Sequence, residues 1–117
     1  MSRRAATLDI SFRRMPPDEE LVIHVRRCVG RVERALDELP SWTIHVQQVE
    51  RLDRPAVCTV SVASILRGGP IHVESTDTDA FIAVRDAFAA VAREVGLDWR
   101  RLGASAAVAR ARPASAA

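Results

Sequence analysis

The sequence predicts a small α+β domain in which two helices cover one face of a four-stranded sheet, in the order β-α-β-β-β-α. Apolar residues alternate with polar ones in four segments and recur every three or four positions in two others, the patterns of strands and helices respectively. The chain has 117 residues, enough for one domain with a core and too few for two comfortable ones. Because each helix has a single apolar face, we expect both on the same side of an antiparallel sheet whose other face is partly open.

The first strand and the first helix differ in the period of their apolar residues. Leu8, Ile10 and Phe12 alternate with polar residues, which predicts a half-buried strand. The run PPDEE then begins a helix, because proline suits a first turn and carboxylates suit the positive end of the helix dipole. Gly30 lies away from the apolar stripe and is expected to weaken the helix by up to about 1 kcal/mol relative to alanine; Pro40 ends it. The stripe consists of Leu21, Val25, Cys28, Val29, Val32, Leu36 and Leu39.

Three further strands are predicted between the two helices. Turn signals at residues 51–55 and 67–70 separate them. Since successive side chains of a strand point to opposite faces, His45, His72 and Glu74 are expected on the open face of the sheet. The inward-facing positions are Trp42, Ile44, Val46, Cys58, Val60, Val62, Ile71 and Val73.

The second helix begins after an acidic turn. Thr76 and Asp79 resemble a capping box with Asp in place of the usual Glu, and we interpret Asp77 and Asp79 as capping residues, not as paired catalytic carboxylates. The helix is expected to break near Gly96 and to continue weakly over residues 99–102. Its apolar stripe consists of Phe81, Val84, Phe88, Val91, Ala92 and Val95.

These elements predict one domain over residues 7–102. We expect residues 1–6 to be flexible and residues 103–117 to form a disordered tail, in which Val108 is the only large apolar residue. The predicted topology is of the double-stranded-RNA-binding-domain type, which by itself does not decide function.

Composition narrows the class of protein. No stretch approaches the roughly 20 apolar residues that a membrane span needs. The N-terminus has the basic start of an export signal without an apolar stretch behind it, so we expect a soluble cytoplasmic protein with no membrane partner. Cys28 and Cys58 lie among apolar neighbours, which predicts two buried thiols and not a disulfide framework or a CxxC motif.

Enzymatic signals are few. His24, His45 and His72 lie on three different elements and show no metal-ligand spacing. The weakest of the alternatives is a small enzyme that uses His45, His72 and Glu74 on the open face. We therefore expect no catalysis, no cofactor, no bound metal and no small-molecule substrate.

The arginines are the better functional candidates. All 17 basic residues are arginine while the net charge is only +2, so a nucleic-acid surface requires local segregation of charge. Arg27, Arg31 and Arg34 share one face of the first helix, and His24 extends that line by one turn. The candidate RNA-contacting residues are Arg27, Arg31, Arg34, Arg85, Arg93, Arg100 and Arg101.

The second helix adds arginines to this surface on one condition. Arg93 and Arg100 would share a face if helical geometry persists past Gly96, and Arg85 borders the apolar stripe. Two arginine-lined helices side by side would contact an RNA backbone with little sequence preference. The alternative is an ordinary solvated helix face, whose positive charge is lowered by Glu20 and Glu38.

The sequence also resembles the ribosome hibernation-promoting factors, also known as ribosome-associated inhibitors or sigma-factor modulation proteins. The segment VGRVERALDEL matches the arginine-x-x-arginine run of that family's first helix. The segment HVESTDTDAFIAV matches its strand, acidic turn, aspartate and aromatic-alanine helix start. The resemblance covers about residues 8–95, and the shared order and spacing of the two motifs count for more than either motif alone.

The resemblance implies a non-catalytic protein that binds the small ribosomal subunit and its ribosomal RNA. Such proteins occupy the channel of messenger and transfer RNA and block translation in stationary or stressed cells. Carried over position by position, the resemblance assigns RNA contact to Arg31, Arg34 and Arg93; the other four arginines rest on their spacing alone. The chain resembles the short form, which lacks the C-terminal domain that pairs ribosomes.

This sequence departs from the family in its basic residues. The family is often basic where this chain has Cys28 and Ala90, and the lysine-rich segment after the second helix is replaced by GLDWRRLGASAAVARAR. The alternative is therefore a binding module of the same fold that has lost the ribosome and uses its open sheet face for a protein partner or for self-association. We expect a monomer, although exposed strand edges permit a dimer.

Overall fold

A computed structural model describes residues 7–102, and the predicted order of elements is confirmed. A further helical turn covers residues 99–102. The expectations for residues 1–6 and 103–117 lie outside the described residues. The elements are β1 (Leu8–Arg13), α1 (Glu19–Leu36), β2 (Trp42–Arg51), β3 (Arg54–Leu66), β4 (Gly69–Asp77) and α2 (Ala80–Glu94).

The four strands form one sheet in the order β1-β2-β3-β4, and the sheet is mixed. The expectation of a fully antiparallel sheet was wrong, because β1 pairs with β2 in parallel, from Leu8 opposite Trp42 onward. Helix α1 lies between these two strands and returns the chain to the end at which β1 began. The other two pairings are antiparallel hairpins. The second turn has two positive φ angles, 53° at Arg67 and 77° at Gly68, as a two-residue type I′ hairpin requires.

Both helices pack on one face of the sheet and enclose a single apolar core. Trp42 lies at its centre: its indole Nε1–H donates to Glu33 Oε2 at 3.0 Å, and its ring lies 5.7 Å from that of Phe88. The apolar stripe predicted for α1 is confirmed up to Leu36. It was wrong at Leu39, which is 63% exposed, because the helix has already ended at Asp37 in a left-handed conformation.

Aspartates begin both helices. Asp18 accepts hydrogen bonds from the backbone N–H groups at the start of α1. Asp79 accepts from Phe81 N–H at 2.8 Å, so its predicted capping role is confirmed. The capping box with Thr76 was wrong, because Thr76 belongs to β4 and its hydroxyl hydrogen-bonds Thr59 across the sheet.

The chain breaks after α2 as predicted and then turns back onto the core. Gly96 has a φ of 80°, which ends the helix, and Asp98 caps the next turn through Arg100 N–H. Trp99 is thereby buried against Phe88. Because helical geometry does not persist past Gly96, the condition for Arg93 and Arg100 to share a helical face is not met.

Across residues 7–102, neither helix combines the length and the apolar composition that crossing a membrane would require.

Candidate nucleic-acid interface

Helices α1 and α2 lie side by side and run in the same direction. Near the start of α1, His24 packs its ring 5.4 Å from that of Phe81 at the start of α2, and its Nε2–H donates to the Phe81 carbonyl oxygen at 3.3 Å. Seven residues later, Arg31 lies over the ring of Trp99, beyond the end of α2, at 4.8 Å from the centroid. The two helices therefore form one continuous outer surface opposite the sheet.

The positive charges of three arginines, two on α1 and one on α2, act on His24. Burial lowers the pKa of this histidine; the hydrogen bond to Phe81 raises it, and the positive charges of Arg31, Arg27 and Arg85 lower it further. That effect requires the three guanidinium groups to lie near one imidazole. We call Arg27, Arg31 and Arg85 the arginine cluster. It joins two residues of α1 to one of α2, which the spacing along either helix alone did not predict.

Arg31 is held in place by an aromatic contact. Its guanidinium stacks on the Trp99 ring, an arrangement in which the cation is attracted by the π face. Beneath it, burial raises the pKa of Cys28 to about 11, although the charge of Arg31 acts in the opposite direction. The thiol is therefore neutral at physiological pH and leaves the charge of Arg31 uncompensated. Cys28 and Cys58 are both buried and free, as the sequence predicted.

Arg34 lies against the glycine one turn before it. A Cβ built on Gly30 would lie 3.1 Å from Arg34 Nη1, so the guanidinium occupies the space that a side chain at position 30 would take. The sequence indicated only the cost of Gly30 to the helix. The structure adds that this glycine lets Arg34 lie flat along α1, on the same outer surface as the arginine cluster.

Most positive charges on this surface have no acidic partner. Within residues 7–102 the only ion pair is that of Arg85 with its neighbour Asp86, at 3.4 Å and well exposed. Glu33 instead accepts from Trp42, and Glu38 accepts from the backbone N–H of Arg67. These contacts remove two carboxylates from competition for the arginines. The remaining predicted residues, Arg93, Arg100 and Arg101, are exposed and lie outside the arginine cluster.

The open face of the sheet has a different character. Ser11 hydrogen-bonds His45, and Ser61 hydrogen-bonds His72 at 3.1 Å. A shallow depression of about 220 Å³ is lined by Arg13, His45, Gln47, Thr59, Ser61 and Glu74. His45 and Glu74 thus lie on the open face as predicted, yet no three His, Cys, Asp or Glu side chains of the described chain come together as metal ligands.

Fold and surface together define a class: an α+β domain of β-α-β-β-β-α order with an arginine-bearing helical face. Several solved structures share this fold, including one from Thermus thermophilus and one from Coxiella burnetii. The N-terminal domain of Thermus thermophilus Protein Y matches with a TM-score of 0.56 and 16% identity, over 75% of this chain and 91% of that one. A ribosomal subunit interface protein from Coxiella burnetii matches with a TM-score of 0.56 and 15% identity, over 86% of this chain and 98% of that one.

No protein-family model matches the sequence, and no curated protein matches it. At 15–16% identity the structural likeness shows the fold. One of these neighbours is a ribosomal subunit interface protein by name. The fold expected from the family resemblance is confirmed.

Proposed function

We propose that this protein is a ribosome-associated translation inhibitor that binds the small ribosomal subunit and occludes the channel of messenger and transfer RNA. The observation that carries the proposal is the convergence of Arg27, Arg31 and Arg85 on one surface of a fold shared with a ribosomal subunit interface protein. Inhibition then results from occupancy, without a chemical step. In this proposal the protein acts in the cytoplasm of stationary or stressed cells.

The physical basis of binding is contact with phosphate groups of ribosomal RNA. Guanidinium groups donate paired hydrogen bonds to phosphate oxygens, and each contact releases condensed counterions. The arginine cluster, with Arg34 further along α1, presents these donors along two parallel helices. Arg93, Arg100 and Arg101 add charge at the edge of the same proposed interface. Recognition of this kind reads the shape and charge of RNA more than its sequence.

The first experiment is co-sedimentation of the purified protein with small ribosomal subunits at low and high salt. Binding is expected at low salt, with an affinity that falls steeply as salt rises. Replacing Arg31 and Arg34 by Ala is expected to weaken binding by about tenfold or more and to reduce the salt slope by about 1 for each arginine. Arg26→Ala is the matched control, since Arg26 is an exposed arginine of α1 outside the arginine cluster.

Two outcomes would contradict the proposal. Failure to co-sediment even at low salt removes ribosome binding altogether. Equal losses of binding free energy per removed charge for Arg26→Ala and for the Arg31/Arg34 double variant would show that only net charge matters. Occlusion is tested separately: small subunits preloaded with messenger and transfer RNA should exclude the protein.

The second candidate is a non-catalytic module of the same fold that binds a protein partner, or a second copy of itself, through the open sheet face. The depression lined by Arg13 and Glu74 favours it, because it offers both signs of charge to a polar partner. A dimer in sedimentation equilibrium of the free protein would support self-association through this face. Loss of partner binding on Arg13→Ala would support a protein partner there.

A further inference from the structure

His24 lies on the same helical surface as the arginine cluster. The role that we assign to it rests on the proposed function. We propose that His24 is a further phosphate-contacting residue that takes up a proton when RNA binds to the arginine cluster. RNA binding would then be tighter at acidic pH, and His24 would be the residue that makes it so.

Geometry assigns the two nitrogens of this imidazole different roles. Nε2 must carry a hydrogen in the neutral ring, because its partner, the Phe81 carbonyl oxygen, can only accept. Nδ1 is then the unprotonated nitrogen, and among residues 7–102 no group hydrogen-bonds it. Protonation at Nδ1 converts an acceptor into a charged N–H donor, the group that a phosphate oxygen would bind.

Burial and the surrounding positive charges both lower the pKa of His24 and so disfavour its protonated form in the free protein. Arg27 and Arg31 of its own helix and Arg85 of α2 face it, and burial acts in the same direction on its pKa. Glu20 lies one turn earlier on α1 and is exposed, while Cys28, one turn later, is a neutral thiol. Of the acidic residues of α2 and its cap, Asp79 caps the helix, Asp86 pairs with Arg85, and Glu94 is the last residue of the helix, at the opposite end from Phe81.

A bound RNA backbone reverses this balance. Phosphates that neutralise three guanidinium groups remove the repulsion that disfavours imidazolium, and their own negative charge attracts it. The pKa of His24 is therefore higher in the complex than in the free protein, so that binding takes up a proton. By linkage, affinity rises as pH falls through the pKa of the complex and levels off below the pKa of the free protein.

The direct test follows the histidine by NMR. The protein is titrated between about pH 5 and pH 8.5, alone and with an RNA duplex of about 16 base pairs. The pKa of His24 is expected to rise when the duplex is bound. His45 and His72, on the opposite face of the sheet, are internal controls, because binding of the duplex should leave their imidazole resonances unchanged. A pKa of His24 that does not change on binding overturns the proposal.

The functional test measures affinity for the duplex and for small ribosomal subunits at several pH values. Between about pH 8 and pH 5.5 the affinity of the wild-type protein is expected to rise by about five- to tenfold, within the usual range of coupling between two sites. His24→Gln retains an N–H for the Phe81 carbonyl but cannot be charged. It should lose the about five- to tenfold rise in affinity on acidification that the wild-type protein shows.

His72→Gln, the control on the open sheet face, should keep the pH dependence. An unchanged pH profile in His24→Gln would overturn the assignment to this residue. The two probes also separate the two proposals. If the duplex binds with the expected pH dependence but small subunits do not bind, the ribosomal function fails and the role of His24 stands. If subunits bind with no pH dependence, the function stands and the role of His24 fails. If neither probe binds, both proposals fail.

Discussion

The two outer surfaces of this protein use their polar side chains in opposite ways. On the open face of the sheet, hydroxyl and imidazole groups satisfy one another across strands, as in the pairs Ser11–His45 and Thr59–Thr76. On the helical face, Arg27 and Arg31 have no carboxylate within ion-pair distance among the described residues. Spare donors and unpaired charge are therefore concentrated on one side of the domain. A surface that binds a charged partner needs free donors and unpaired charges. A surface whose polar groups already pair with one another has few of them.

The largest expected difference between the two sides of the sheet concerns stability. Phe88 is fully buried between α2 and the sheet, and Phe88→Ala should lower the free energy of unfolding by about 3–5 kcal/mol through lost burial and the cavity left behind. Ser61→Ala, on the open face, should change it by about 0.5 kcal/mol or less. Urea unfolding measures both. Similar losses would mean that the open face also contributes to the core.

A smaller effect should distinguish the two surfaces in binding. Arg85→Ala and Arg13→Ala each remove one positive charge, the first from the arginine cluster and the second from the open face. Arg85→Ala is expected to weaken binding to small ribosomal subunits by about 1 kcal/mol and to reduce the salt slope by about 1, whereas Arg13→Ala should leave both nearly unchanged. A larger effect of Arg13→Ala would contradict the assignment of binding to the helical face, since the open face would then be the binding surface.

The smallest expected effect is a gain. Gly30→Ala should raise the free energy of unfolding by about 0.5–1 kcal/mol, because alanine favours the helix and the atoms that a Cβ would meet belong to the mobile end of Arg34. Thermal unfolding measures the gain. Ala35, also exposed on α1, gives the reverse control, since Ala35→Gly should cost a similar amount. A loss of stability in Gly30→Ala would show that the Arg34 guanidinium is held firmly in place.

The elements of the fold were predictable because their signals are local. The alternation of Leu8, Ile10 and Phe12 and the aspartate before α2 act within a few residues, so the sequence alone placed them correctly. Thr76 was misassigned because its hydroxyl partner is Thr59 on another strand. The parallel pairing of β1 with β2 likewise depends on the path of the chain through α1 and not on the composition of either strand.

The candidate site was predictable in its residue types but not in its arrangement. The spacing of Arg27, Arg31 and Arg34 along α1 indicated an arginine-bearing face. The contribution of Arg85 depends on which helices are neighbours, and the stacking of Arg31 on Trp99 depends on a turn after Gly96. The sequence indicated the break near Gly96 and a short helical continuation, but not which side chain would lie over the tryptophan ring. The assignment of RNA contact stays a prediction for all seven arginines, and Arg93, Arg100 and Arg101 lie outside the arginine cluster.

The parallel pairing of β1 bears on how the chain folds. The two hairpins close over tight turns, with Arg51 opposite Arg54 and Leu66 opposite Gly69. The partners Ser11 and His45, in contrast, are 34 positions apart, and closing a loop of that length costs more chain entropy. We expect the three-stranded hairpin unit to form first and β1 to join last. Until it does, one edge of β2 has unpaired backbone groups, and a second chain in the same state could pair there in its place.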